Sequence, residues 1–202
     1  MELAGIGFFL EIAIVGAGAT AWFVLATLTV AGYRWISPEF LEAPGLLILA
    51  LPLVFILGII VDELGDRVIE IPKGGLKEKI RRTVLKDDAS KIVPLRRAAY
   101  ESEYERQALE YARRRLRIAR GWVVNSVALL ISLNAFVLIR LPASVPTVRI
   151  SVWGTAATAL LFAGSLFATY QLLTSEYKIL RDSAAATPHR DVRPERPPSQ
   201  DA

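Results

Sequence analysis

Cysteine is absent from the sequence, and histidine occurs once, as His189 in a proline-rich stretch. The first absence excludes disulfides, thiolate metal sites and a cysteine nucleophile. The second removes most histidine catalysis and histidine-ligated metal. Charge is missing over long stretches as well: from Leu3 to Ala31 the one ionisable side chain is Glu11. There is no internal repeat and no G-x-x-x-x-G-K-[ST] phosphate loop. With no catalytic set left, the chain is read as a non-enzyme with no cofactor and no bound metal.

What is abundant is apolar residue, 53% of the chain. It falls into four runs, Leu3–Ala31, Pro44–Val61, Trp122–Ile139 and Ile150–Leu173. Each is long enough to cross a hydrocarbon layer of about 30 Å as a helix. A backbone in hydrocarbon must satisfy its own hydrogen bonds, so each run is expected to be helical. Pro44 suits a first helical turn, and Pro52 is expected to kink the second run. Glu2 stands where a secretory leader would carry basic residues, and the apolar run continues past Ala19; cleavage is not expected.

The first run contains Gly16, Gly18 and Ala21 in the spacing G-x-G-x-x-A of a dinucleotide-binding turn. Such a turn needs a following helix with a polar face, and an acidic residue about 20 positions on. The chain instead continues as Ala21-Trp22-Phe23-Val24-Leu25, apolar all round, and reaches Tyr33, Arg34 and Trp35. The small residues Ala13, Ala17 and Ala21, with Gly16 and Thr20 beside them, are read as a helix-packing face.

Basic residues set orientation. Sixteen of the 24 Lys and Arg lie between Asp62 and Gly121, and five lie from Tyr177 onward. The loops after the first and third runs hold Arg34, and Arg140 with Arg149. The expected architecture is an all-α integral membrane protein with four transmembrane helices and a helical cytoplasmic excursion between helices 2 and 3. Both termini face the cytoplasm, and the location is the inner membrane. Residues 1–62 hold helices 1 and 2, 63–121 the cytoplasmic helical segment, 122–175 helices 3 and 4, and 176–202 a disordered cytoplasmic tail. Tyr33, Trp35 and Trp153 mark the outer interface, and Trp122, Tyr170 and Tyr177 the inner one. Glu11 falls at the inner headgroup boundary. It is read as an interfacial carboxylate, with ion or proton handling and helix pairing as the alternatives.

In the excursion, Asp62, Glu63, Asp66 and Glu70 follow the second run. A salt-bridged helix end is expected, with hard-cation ligation as the alternative. Ile71-Pro72 ends that helix and Lys73-Gly74-Gly75 turns the chain. Leu76 to Leu85 reads as a short amphipathic helix with Leu76, Ile80, Val84 and Leu85 on its apolar side. From Ala98 no breaker is apparent before Gly121. Tyr100, Tyr104 and Tyr111 are read as one stripe that forms a partner interface. Arg113, Arg114, Arg117 and Arg120 sit just inside the membrane boundary and are read as an anionic-lipid or phosphate-ligand face. Nucleic acid is not expected: 16 basic and 11 acidic residues leave the segment weakly charged.

Polar residues in the last two runs are read as helix packing or a pore face: Asn125, Ser132, Thr155, Thr158, Ser165 and Thr169. Two functions are favoured over a lipid-directed membrane enzyme that would use Asp62, Glu63 or Asp66 as acid, base or metal ligand. One is a homo-oligomeric pore or membrane effector regulated through its cytoplasmic helices. The other is a non-catalytic anchor or adaptor presenting the 98–120 helix to a cytoplasmic protein. Membrane lipids and further copies of the chain are the expected partners.

Overall fold

The computed structural model describes residues 2–34, 44–70, 75–85, 92–142 and 144–186. All regular structure among them is α-helical: α1 (Glu2–Ala31), α2 (Pro44–Glu70), α3 (Leu76–Leu85), α4 (Ile92–Glu101), α5 (Glu103–Arg140) and α6 (Thr147–Ala186). Among the described residues, three helical stretches are long and apolar enough to cross a membrane: Gly7–Ala31, Glu103–Arg140 and Thr147–Ser183. The expectations for Trp35, Ile71 to Gly74 and the chain after Ala186 lie outside the described residues.

α1 runs unbroken through Gly16 and Gly18, so no strand or turn exists for a dinucleotide. It ends at Gly32, whose φ of 82° suits a residue without Cβ and whose N–H donates to Leu28 O. The Arg140 guanidinium, from the far end of α5, donates to the carbonyls of Thr29 and Val30. A cation there also opposes the negative end of the helix dipole.

The buried face of α1 differs from the alanine ladder. Ala17 and Ala21 are exposed, and Val15, Gly16, Gly18 and Ala19 are buried. A Cβ on Gly16 would run into the Val54 carbonyl, and one on Gly58 into the Ile12 carbonyl. The α1 and α2 backbones therefore touch directly, beside a core of Val15, Ala19, Leu57 and Val61. α2 runs on through Pro52, which lies inside it.

A second core lies beyond this apolar part. Ile80, Leu85, Leu95, Ala99, Leu109, Leu116, Leu173, Tyr177 and Leu180 bring α3, α4, the first third of α5 and the end of α6 together. The short helix expected from Leu76 to Leu85 is present and folds against this assembly. Two expectations change. The helix drawn from Ala98 is broken at Ser102, which caps α5 by accepting from the Glu105 N–H. Ser102-x-x-Glu105 is a capping-box pattern, and it separates Tyr100 from Tyr104 and Tyr111. The last helix also continues past residue 176. Tyr177, Leu180 and Ser183 extend its buried face at spacings of three and four, so the change to tail does not fall at 176.

α5 is the axis of the molecule. α1, α2, α4 and α6 all touch it, and among the described residues the α6 backbone approaches neither α1 nor α2 closely. The membrane-capable part of α6 buries almost nothing, and Trp153, Leu160 and Phe167 are exposed on it.

Candidate functional site

α5 carries four arginines on successive turns where the two cores meet. Arg113, Arg117 and Arg120 are spaced four and three apart, so they line one face, with Arg114 beside them. Each is met by a carboxylate from another helix. Arg117 donates to Glu11 of α1 at 3.0 Å, and Arg114 stands 3.7 Å from the same carboxyl group. Arg117 and Arg120 converge on Asp62 of α2 at 3.3 and 3.1 Å, and Arg120 also donates to Asp66. Arg113 pairs with Glu176 of α6 at 3.4 Å, with Arg96 of α4 on the same carboxylate at 3.7 Å.

Glu11 and Glu176 are 6% exposed, so these two pairs are internal. Glu11 thus joins α1 to α5, and the arginine row is ion-paired to three other helices while Arg113 and Arg114 keep a third or more of their side chains exposed. Charges so buried are tolerable only when paired, and loss of one partner is costly. Phe8 closes one side of the row, with its ring 4.9 Å from the Arg117 guanidinium carbon. Asp62 and Asp66 are engaged by arginine. Glu63 pairs with Arg67 in solvent, as their i,i+4 spacing predicts. No group of three potential metal ligands occurs among the described residues.

A half-enclosed cavity of about 170 Å³ lies behind the row. Lys77, Arg96, Arg113, Arg117 and Arg120 line it, together with Asp66 and Glu176. A second, more open cavity of about 270 Å³ shares Arg113 and Arg117 and is also lined by Phe8, Glu11, Glu110 and Arg114. Outside the row, hydrogen bonds from Arg82 and then Arg81 hold the Glu78 carboxyl below the usual carboxylate range. Those from Gln107 and then Arg106 do the same for Glu103.

Most of the polar residues singled out in the apolar part have partners within the chain. Asn125 is fully buried; it donates to Val15 O at 2.8 Å and accepts from Trp22 Nε1 at 3.0 Å. Asn134 faces the other way, donating to Thr155 Oγ1 and accepting from Ser151. Thr158 and Thr169 donate to carbonyls one turn back in their own helix, and both are buried, as is Ser132. Ser165 lines an apolar groove between α5 and α6. Of the tyrosines, Tyr100 accepts from Arg113 at 2.6 Å, whereas Tyr104 is 81% exposed and Tyr111 stands out beside Arg115.

Glu176, which completes the ionic layer, was not among the residues the sequence singled out. Its signal was the apolar spacing Leu173, Tyr177, Leu180, which continues the buried face of α6 and carries Glu176 to the arginine row. Comparison with protein-family models, with curated proteins and with solved structures finds no match.

Proposed function

We propose that the chain is a non-catalytic, homo-oligomeric membrane effector whose membrane helices are governed by its cytoplasmic helices. One observation carries this reading. α5 is a single helix belonging to both cores, and its arginines bind the other long helices at the junction. A displacement of α3 and α4 is thereby transmitted to α1, α2 and α6 without a hinge. The bare outer face of α6 is free for lipid or for further copies, and the reading assigns it to copies. The hydroxyl stripe supports a pore less well, because most of its groups already have partners within the chain.

The reading takes four spans, with α2 as the fourth and both termini cytoplasmic. Depth supports it. From Glu11 to Ala31, from Asp62 back to Pro44, and from Arg120 to Arg140 are each about 20 residues, or about 30 Å of helix. The absence of cysteine permits a direct test. In inside-out vesicles, a membrane-impermeant maleimide is expected to label Thr83→Cys and spare Ser144→Cys, with the reverse in right-side-out cells. Native mass spectrometry from lipid nanodiscs then counts copies. A defined ring of four or more supports the effector, and a bare monomer sinks it.

The adaptor is the second reading, favoured by the exposure of Tyr104 and Tyr111. A stoichiometric cytoplasmic partner is then expected in pull-downs and should be lost in Tyr104→Ala/Tyr111→Ala. Capture unchanged by that double substitution would remove the tyrosines from the interface.

A further inference from the structure

Arginine rows that merely pin helices together should leave their donors matched. Here they are not. The Nε groups of Arg96, Arg117 and Arg120 are buried and have no hydrogen-bond acceptor, although Arg117 Nε stands 3.3 Å from Asp62. All three residues line the 170 Å³ cavity, where α2, α3, α4, α5 and α6 meet. Its described walls carry five cations and two carboxylates. The Nε atoms have no accessible surface of their own, so the anion site is made by the excess of five cations over two carboxylates around the cavity.

The space decides the size of the anion. A cavity of about 170 Å³ holds roughly five waters by their share of liquid volume, whereas whole organic ligands usually need about 300 Å³ or more. The donors decide its kind. Asp66 and Glu176 already compete for these cations, so a monocarboxylate would gain little by entering. A phosphomonoester brings nearly two charges and three terminal oxygens, which guanidinium forks bind bidentately. Resting on the reading of the ionic layer as the junction between cytoplasmic and membrane helices, we propose that this cavity binds the phosphate group of a phosphomonoester. Its entry draws Arg96, Arg113 and Arg120 away from Glu176 and Asp66 and so loosens α2 and α6 from α5.

The phosphate can belong to a soluble metabolite or to a lipid headgroup, and the test separates them. The full chain in detergent is titrated with inorganic phosphate and glycerol 3-phosphate while its melting temperature is followed. In parallel, nanodiscs containing phosphatidic acid are compared with nanodiscs of phosphatidylcholine alone. At about a hundredfold excess over Kd, a rise of about 5 °C or more is expected. Arg96→Gln should weaken the apparent affinity about tenfold, the loss of one charged hydrogen bond, and so about halve the shift at the same ligand concentration; the exposed Arg67→Gln should not. Should Arg96→Gln fail to fold, Lys77→Gln serves the same comparison. A response to the soluble probes identifies a free phosphomonoester, and a response to phosphatidic acid alone identifies a lipid. No response to either, or one unchanged in both cavity variants, overturns the proposal. Phosphate binding in a chain that proves monomeric leaves the site standing and removes the effector reading.

Discussion

Arg117→Ala is expected to lower the thermal midpoint by about 10 °C, corresponding to about 3 kcal/mol. The size follows from what is left behind rather than from what is lost. Glu11 is 6% exposed and receives one close hydrogen bond, from Arg117 at 3.0 Å; Arg114 remains at 3.7 Å. Removing Arg117 leaves a nearly bare carboxylate between apolar helices, with Phe8 and Ile12 beside it. Arg117 itself keeps about a quarter of its side chain in solvent, which places the cost at the lower end for a broken internal pair.

The same argument fixes the rescue. In Glu11→Gln/Arg117→Ala the stranded charge is gone, so the double variant should be more stable than Arg117→Ala alone. A coupling of at least about 1 kcal/mol is expected from the full cycle. The measurement is tryptophan-monitored unfolding of the four proteins in one lipid nanodisc composition. If the two single costs simply add, the pair contributes nothing and the ionic layer is not a latch.

Much of the fold was legible because lipid imposes a coarse constraint. Long uncharged runs must be helical whatever their detailed sequence, and the separation of Asn125 from Asn134 onto opposite faces follows from helical spacing alone. The junction was less legible. A row of arginines at a membrane boundary has two chemically equivalent partners, headgroups outside or carboxylates inside. Only the third dimension shows Glu11, Asp62 and Glu176, which are 165 positions apart at the extremes, standing at one level. Glu176 was hidden for a further reason. It follows the fourth apolar run, and the change in composition toward the tail outweighed the short buried repeat of Tyr177, Leu180 and Ser183. Ser102 was missed differently: its capping signal was present, but Tyr100, Tyr104 and Tyr111 kept helical spacing across it.

Gly58 is, with Gly16, one of the two positions at which one added carbon should do most harm. Its Cβ would meet the backbone carbonyl of Ile12, and that of Gly16 the backbone carbonyl of Val54. Ile12 and Gly16 are one turn apart on α1, as are Val54 and Gly58 on α2, so the two collisions are consecutive contacts of one crossing. A carbonyl in a helix cannot swing aside as the end of a side chain can. Gly58→Leu is therefore expected to cost about 3 kcal/mol or more, and Gly58→Ala about 1–2 kcal/mol. Gly164, with nothing within 4 Å of its Cβ position, should accept alanine with no loss of stability within the chain. The sign of the alanine result is the sharper test. In a helix, alanine is favoured over glycine by about 1 kcal/mol, so Gly58→Ala would stabilise the protein were the helices not in contact there. Destabilisation shows that close approach, which drives helix association in lipid, outweighs that preference. The consequence reaches the junction as well. Ile12 adjoins Glu11, and Gly58 lies one turn from Asp62, so parting these helices moves both carboxylates away from Arg117. Gly58→Leu should thus abolish most of the coupling measured between Glu11 and Arg117, and a coupling that survives it would mean that the ionic layer is set by α5 alone.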